Sequence, residues 1–210
     1  MRASSFAIAT AIFLVALSMN PLALAQTEGQ GGYIGVGFGK GSADLSVSDF
    51  NDGSITSGRV DDTDTGWKLF GGYGFNKNFA VEGGYADLGE SNFNGTSNGL
   101  GFLYFAGPVN IDIETKSLFV DLVAIMPFKK WSLFGKIGFH NWDAEVTVSN
   151  PPVSGSADDD GTDPHFGVGA EWRPSPRWGL RLEWEVFTEV LEEDIEAISL
   201  SGIYRFGNGK

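Results

Sequence analysis

The stretch at residues 66–88, GWKLFGGYGFNKNFAVEGGYADL, decides the fold. Large apolar residues recur at every second position on either side of Asn76-Lys77: Trp67, Leu69, Tyr73 and Phe75, then Phe79, Val81 and Tyr85. Between them stand Lys68, Phe70, Gly72 and Gly74, then Ala80, Glu82, Gly84 and Ala86. That second face is mostly small and carries charges of both signs. A period of two is the signature of a strand, because successive side chains leave opposite faces of the backbone. Which face meets water depends on the rest of the chain.

Working outward, the same alternation predicts eight strands, at 33–40, 65–75, 78–88, 114–127, 130–141, 165–173, 178–187 and 197–206. An even number suits a closed antiparallel barrel. Their connections alternate in length. Asn76-Lys77, Phe128-Lys129 and 174–176 (PSP) are expected as tight turns, and 41–64, 89–113, 142–164 and 188–196 as long polar loops. Three of these loops are about 20 residues or more, long for a compact soluble domain.

Across all eight strands one face stays apolar, with Ile34, Val36 and Phe38, Val120 and Leu122, Leu133 and Ile137, Leu180 and Leu182, Ile198 and Leu200. The other holds Lys68, Glu82, Asp121, Lys136, Glu171, Arg181, Glu183 and Arg205 among Gly, Ser and Ala. A lipocalin-like barrel would turn the apolar face inward, and a membrane barrel would turn it out to lipid. Three features favour lipid. Aromatic residues gather at the short-turn end (Tyr33, Phe75, Phe79, Trp131, Trp172, Trp178, Phe206), as a membrane girdle does. Balanced charges among small residues suit a narrow lumen, where each buried charge needs a partner. The chain ends almost directly after SLSGIYRF, a closing strand. The expected fold is therefore all-β, an eight-stranded antiparallel transmembrane barrel of the outer-membrane type.

The ends and totals agree. Arg2, the apolar run at 6–17 and Ala23-Leu24-Ala25 before Gln26 predict a signal peptide at 1–25, leaving 26–210 as one barrel domain. No cysteine is present, which removes disulfides and thiolate metal sites. A net charge of −13 argues against nucleic-acid partners.

The segments GWKLFGGYGFNKNFAVEGGYADLG, VDLVAIMPFKKWSLFGKIGFHNWD, HFGVGAEWRPSPRWGLRLEWE and the terminal SLSGIYRF resemble the transmembrane domain of OmpA-like outer-membrane proteins. The resemblance covers the mature chain outside the long loops. It implies a bacterial outer-membrane protein in contact with lipid and lipopolysaccharide, its aromatic last strand read by the barrel assembly machinery. With only Gly207–Lys210 after Phe206, the family's periplasmic peptidoglycan-binding domain is expected to be absent. Loop functions do not carry over.

Candidate sites follow. A two-residue turn at Phe128-Lys129 would set Asp121 opposite Lys136, and Glu171 would lie opposite Arg181 or one diagonal away, plugging the lumen. A gate made by exchanging carboxylate partners is the alternative reading of the same charges. His140 and His165 share the inward parity near the long-loop end and are expected to be solvated or hydrogen-bonded. A zinc pair would need further ligands, for which Asp143 and Asp163 are the nearest, and no Ser follows either histidine at nucleophile spacing, so no metal, cofactor or catalytic residue is expected. Asp158, Asp160 and Asp163 beside Gly161 have calcium-loop-like spacing without the bidentate Glu. The run at 100–106, LGFLYFA, breaks the polar rule, and Phe102, Tyr104 and Phe105 are contact candidates. The expected function is a non-enzymatic barrel serving envelope integrity and surface contacts. The rivals are a narrow channel for small, even hydrophobic, solutes with Phe102, Tyr104 and Phe105 at its entrance, and, third, a lipid A-modifying enzyme. The sequence sets no oligomeric state.

Overall fold

The computed structural model describes residues 29–206, so the expected signal peptide lies outside the described residues. The strands are β1 (Gly31–Ala43), β2 (Ile55–Asp61), β3 (Thr63–Gly74), β4 (Phe79–Ser97), β5 (Gly107–Pro127), β6 (Trp131–Asn150), β7 (Val153–Trp172), β8 (Trp178–Val190) and β9 (Glu193–Arg205). Eight close an antiparallel ring in the order β1, β3, β4, β5, β6, β7, β8, β9, with β9 returning to β1. Each of the eight expected strands lies in this ring. The additional strand, β2, pairs only with the far half of β4.

The faces divide as the alternation dictates. Leu69, Tyr73, Leu122, Ile137, Leu182 and Leu200 are exposed on the outside, while Lys68, Glu82, Asp121 and Glu171 are buried inside. Lining the short-turn end, Trp131 stacks with Trp172 at 6.1 Å and Trp178 meets Tyr204 edge-on at 5.0 Å. The start of β1 and the end of β9 lie at this end too, since Gly31 pairs with Gly74 and Tyr33 with Arg205. Tyr33, expected in the girdle, instead points inward and is buried, because it shares the parity of the lumen residues on β1.

Local chemistry shapes the turns. Asn76 Oδ1 accepts from the amides of Asn78 (2.7 Å) and Phe79 (3.0 Å), an Asx turn that closes β3 to β4. The β5–β6 turn centres on Lys129-Lys130 rather than Phe128-Lys129, with the Phe128 amide donating to the Trp131 carbonyl at 2.7 Å. The pairing therefore slides by two along β6: Asp121 faces Gly138, and Lys136 faces Val123. An even slide keeps every side chain on its face.

The long loops are mostly not loops. β4 to β7 continue as paired strands beyond the ring, and β6 and β7 stay in register to Asn150 and Val153. Gly89, with φ +88°, makes the bulge at which β4 leaves β3, and β4 takes up β2 from Asn92. This extension has its own core of Phe93, Val109 and Ile111, packed by Val47, Phe50, Tyr104, Val146 and Val148. Phe93 stacks on Phe50 at 4.8 Å, and Gly58 and Gly95 leave room for its ring.

Candidate functional site

Strand β8 is the spine of the lumen. Its inward residues Arg181, Glu183, Glu185 and Phe187 follow at every second position and are all buried. Inward glycines make space around them: a side chain at Gly35 would strike Phe70, and one at Gly169 would strike Phe134. Those aromatic rings in turn flank the cations. The Arg181 guanidinium lies 4.6 Å from the centre of Phe134 and 5.2 Å from Phe70, and Lys136 Nζ lies 5.0 Å from Phe119.

The charges form a continuous ladder. At the short-turn end Arg205 donates to Glu171 at 2.6 Å, and Arg173 approaches the same carboxylate at 3.6 Å. Arg181 reaches back to Glu171 at 3.3 Å and across the lumen to Glu82 at 2.7 Å. Tyr33 Oη donates to that same Glu82 oxygen at 2.6 Å. Higher up, Lys68 bridges Glu183 (2.6 Å) and Glu185, and Lys136 bridges Glu185 (2.6 Å) and Glu183 (2.8 Å). Asp121 is 3.6 Å from Lys136 and accepts from His165 Nδ1 at 2.9 Å. Each lysine thus sits between two glutamates, which is what allows these charges to stay buried.

The structure brings seven of the eight sequence candidates into the buried interior and leaves Arg205 half-buried at the short-turn end. Glu171 and Arg181 are directly opposite. Lys136 and Asp121 meet only diagonally, and Glu185 is the nearest carboxylate to Lys136. Glu185 and Tyr33 were not among the candidates. The alternation RLEWEVF carried the signal for Glu185, which shares its parity with Glu183.

The histidines are not at a wet rim. His140 and His165 are buried, and the His165 ring stacks on Phe187 at 4.3 Å. His140 Nε2 lies 3.0 Å from the Thr188 carbonyl, which can only accept, so this nitrogen carries the proton and Nδ1 accepts from Ser117 Oγ at 3.2 Å. A serine thus touches a histidine, through a contact that local spacing could not reveal. The third partner is a neutral carbonyl where an acyl-transfer triad has a carboxylate, and Ser117 is sealed in the lumen.

The outer candidates also resolve. Asp158, Asp160 and Asp163 lie on β7, whose alternation sends Asp158 and Asp160 to one side and Asp163 to the other, where it accepts from Trp142 Nε1 at 2.8 Å. They do not converge as a calcium loop does. Phe102 and Phe105 are exposed at the tip of the β4–β5 hairpin, and Tyr104 turns down onto the Phe93 core. All three stand at the far end of the extension, away from the mouth of the ring.

The family model described as outer membrane protein beta-barrel domain matches residues 9–206. No curated protein sequence matches the chain. Among solved structures, the chain is similar to Ail, the attachment invasion locus protein of Yersinia pestis, at 19% identity and a TM-score of 0.55, covering 84% of this chain and 99% of that one. It is similar to the outer membrane protein OprG of Pseudomonas aeruginosa at 14% identity and a TM-score of 0.52, covering 87% and 99%. The N-terminal β-barrel domain of Pseudomonas aeruginosa OprF matches at 10% identity and a TM-score of 0.50, covering 85% and 100%. At these identities the likeness is one of fold.

Proposed function

Because the chain belongs to the outer membrane protein β-barrel domain family, we propose that it is a closed, non-enzymatic barrel that supports envelope integrity and presents its strand extension to the cell's surroundings. The observation that carries this reading is the lumen ladder. Arg181, Lys68 and Lys136 each bridge carboxylates across the interior, and Phe70, Phe119, Phe134 and Phe187 fill the space between them. A hydrated ion would have to displace several mutually bonded charges at once. Lipopolysaccharide, bridged through divalent cations, is the proposed neighbour of the acidic outer residues, and the barrel assembly machinery the proposed reader of the Tyr204–Phe206 end.

Planar-bilayer recording on the purified chain tests the closed reading. Wild type is expected to give no unitary openings, and Lys136→Met, which breaks the ladder at its centre, is expected to open or destabilise it. Sustained ohmic conductance of the wild type would replace this reading with the small-solute channel.

A further inference from the structure

Residues 98–106 join β4 to β5 at the tip of the extension. Leu100, Phe102, Leu103 and Phe105 are 84, 100, 70 and 55% exposed there. Apolar side chains gathered in water mark a contact. The backbone beneath them is unusually well tied. The amides of Gly99 and Leu100 donate to Ser97 Oγ (3.0 Å) and Asn98 Oδ1 (2.9 Å). Those of Phe102 and Leu103 both donate to Asp52 Oδ2 at 2.7 Å. The Phe105 amide donates to Asn150 Oδ1 at 2.6 Å, and Asn150 Nδ2 returns bonds to the carbonyls of Phe105 (3.2 Å) and Pro108 (2.9 Å). Tyr104 pins the loop to the core below.

Two obstacles to entering an apolar phase are thereby lowered. Amides that already have acceptors are not stranded when water leaves. A loop held before contact loses little conformational freedom on contact. The barrel's own bilayer is out of reach, because roughly 30 Å of strand, at about 3.3 Å per residue, separates Ser97 from Asp87. Charge selects the surface. Lys and Arg are absent from 92–113 and 143–164, and Arg59 is the one cation of 44–61, where Asp52 accepts from the loop's Phe102 and Leu103 amides. An anionic surface is repelled. A choline surface presents a trimethylammonium outermost, which suits carboxylates and aromatic faces alike.

We propose that residues 98–106 form a wedge that inserts Leu100, Phe102, Leu103 and Phe105 into the interface of a second, phosphatidylcholine bilayer facing the cell. This rests on the reading that the extension points outward. The test is co-sedimentation of the full chain, held in nanodiscs, with sucrose-loaded phosphatidylcholine vesicles. Wild type is expected to sediment with them, and Phe102→Ser/Leu103→Ser to bind at least about tenfold more weakly, as loss of two buried apolar side chains requires. Adding phosphatidylglycerol to the vesicles is expected to weaken wild-type binding. Circular dichroism of the double variant keeps a folding failure separate from a lost contact. Absence of wild-type sedimentation, or equal sedimentation of a folded double variant, overturns the wedge. The orientation is tested apart, by Gly155→Cys in this cysteine-free chain, at a position with open space around it. Labelling by an impermeant maleimide on intact cells supports the outward reading, and failure to label sinks it whatever the vesicles do.

Discussion

Strand β6 passes through two environments. At Lys136 its inward side chain is held between Glu183 and Glu185, whereas at Val146 and Val148 the same strand packs on the Phe93, Val109 and Ile111 core. Strand β5 shows the same change, with Asp121 buried in the ring and Val109 and Ile111 buried in the extension. The solvent outside each region accounts for the contrast. In lipid the outward positions must be apolar, so the inward ones are free to be polar if they pair. Above the lipid, water surrounds the sheet, and apolar residues return to the inside. One chain therefore uses two opposite rules, and the bulge around Gly89 marks where β4 passes from one to the other.

Substitutions separate the two environments. The largest effect is expected from Lys136→Met, which leaves Glu183, Glu185 and Asp121 short of a cation. Stranding a buried charge typically costs about 3–5 kcal/mol. Urea unfolding in lipid vesicles should show this loss, and a change within about 0.5 kcal/mol would mean that the lumen is wet.

Leu182→Arg comes next. Leu182 is on the lipid face, where a cation near the bilayer midplane costs about 2–4 kcal/mol. The same new cation at Asp158, exposed on the extension, should shift stability by no more than about 0.5 kcal/mol. Equal effects would argue that the ring is not surrounded by lipid.

Phe93→Ala should separate the regions. Emptying this buried position leaves a cavity that loosens the extension's small core without touching the ring. Amide exchange should speed up along 92–97, 107–113 and 143–150 and remain slow in the ring. Uniform acceleration would show that ring and extension open as one unit.

The smallest effect concerns Asp52. Its bonds from Ser54 and from the Leu103 and Phe102 amides lower its carboxyl from the ordinary 3.8 to about 2. A depressed carboxyl stabilises its contacts above the ordinary value and loses them as pH falls through the folded one. The Phe102 and Leu103 amide resonances should therefore titrate with a midpoint near 2, and Asp52→Asn should abolish that titration. A midpoint near 3.8 would mean that the carboxylate does not hold the loop.

Much of the ring was legible because a period of two is a local signal and lipid makes it consistent. Lys68, Glu82, Glu171 and Arg181 could be placed inward from parity alone. Partner choice was not legible. Lys68 meets Glu183 and Glu185 across 115 and 117 positions of sequence, a closeness that only ring closure creates. The Lys136 partner was missed because one residue of turn placement moved the β5–β6 register by two. Tyr33 was misplaced because an aromatic residue at a strand end has the composition of a girdle and the parity of a plug. The extension was hidden because its strands are rich in Gly, Ser, Asn and Asp, residues with low β-propensity that long-range pairing overrides.

If dry, mutually bonded charges hold the lumen shut, a double-mutant cycle of Lys136→Met and Glu185→Leu will show it. Removing both partners leaves Lys68 with Glu183 and avoids the stranded charge, so the double variant should recover much of the single loss. Unfolded by urea in lipid vesicles, the cycle is expected to give a coupling of about 2 kcal/mol or more. A coupling below about 0.5 kcal/mol would mean that the pair is solvated and would contradict a sealed lumen.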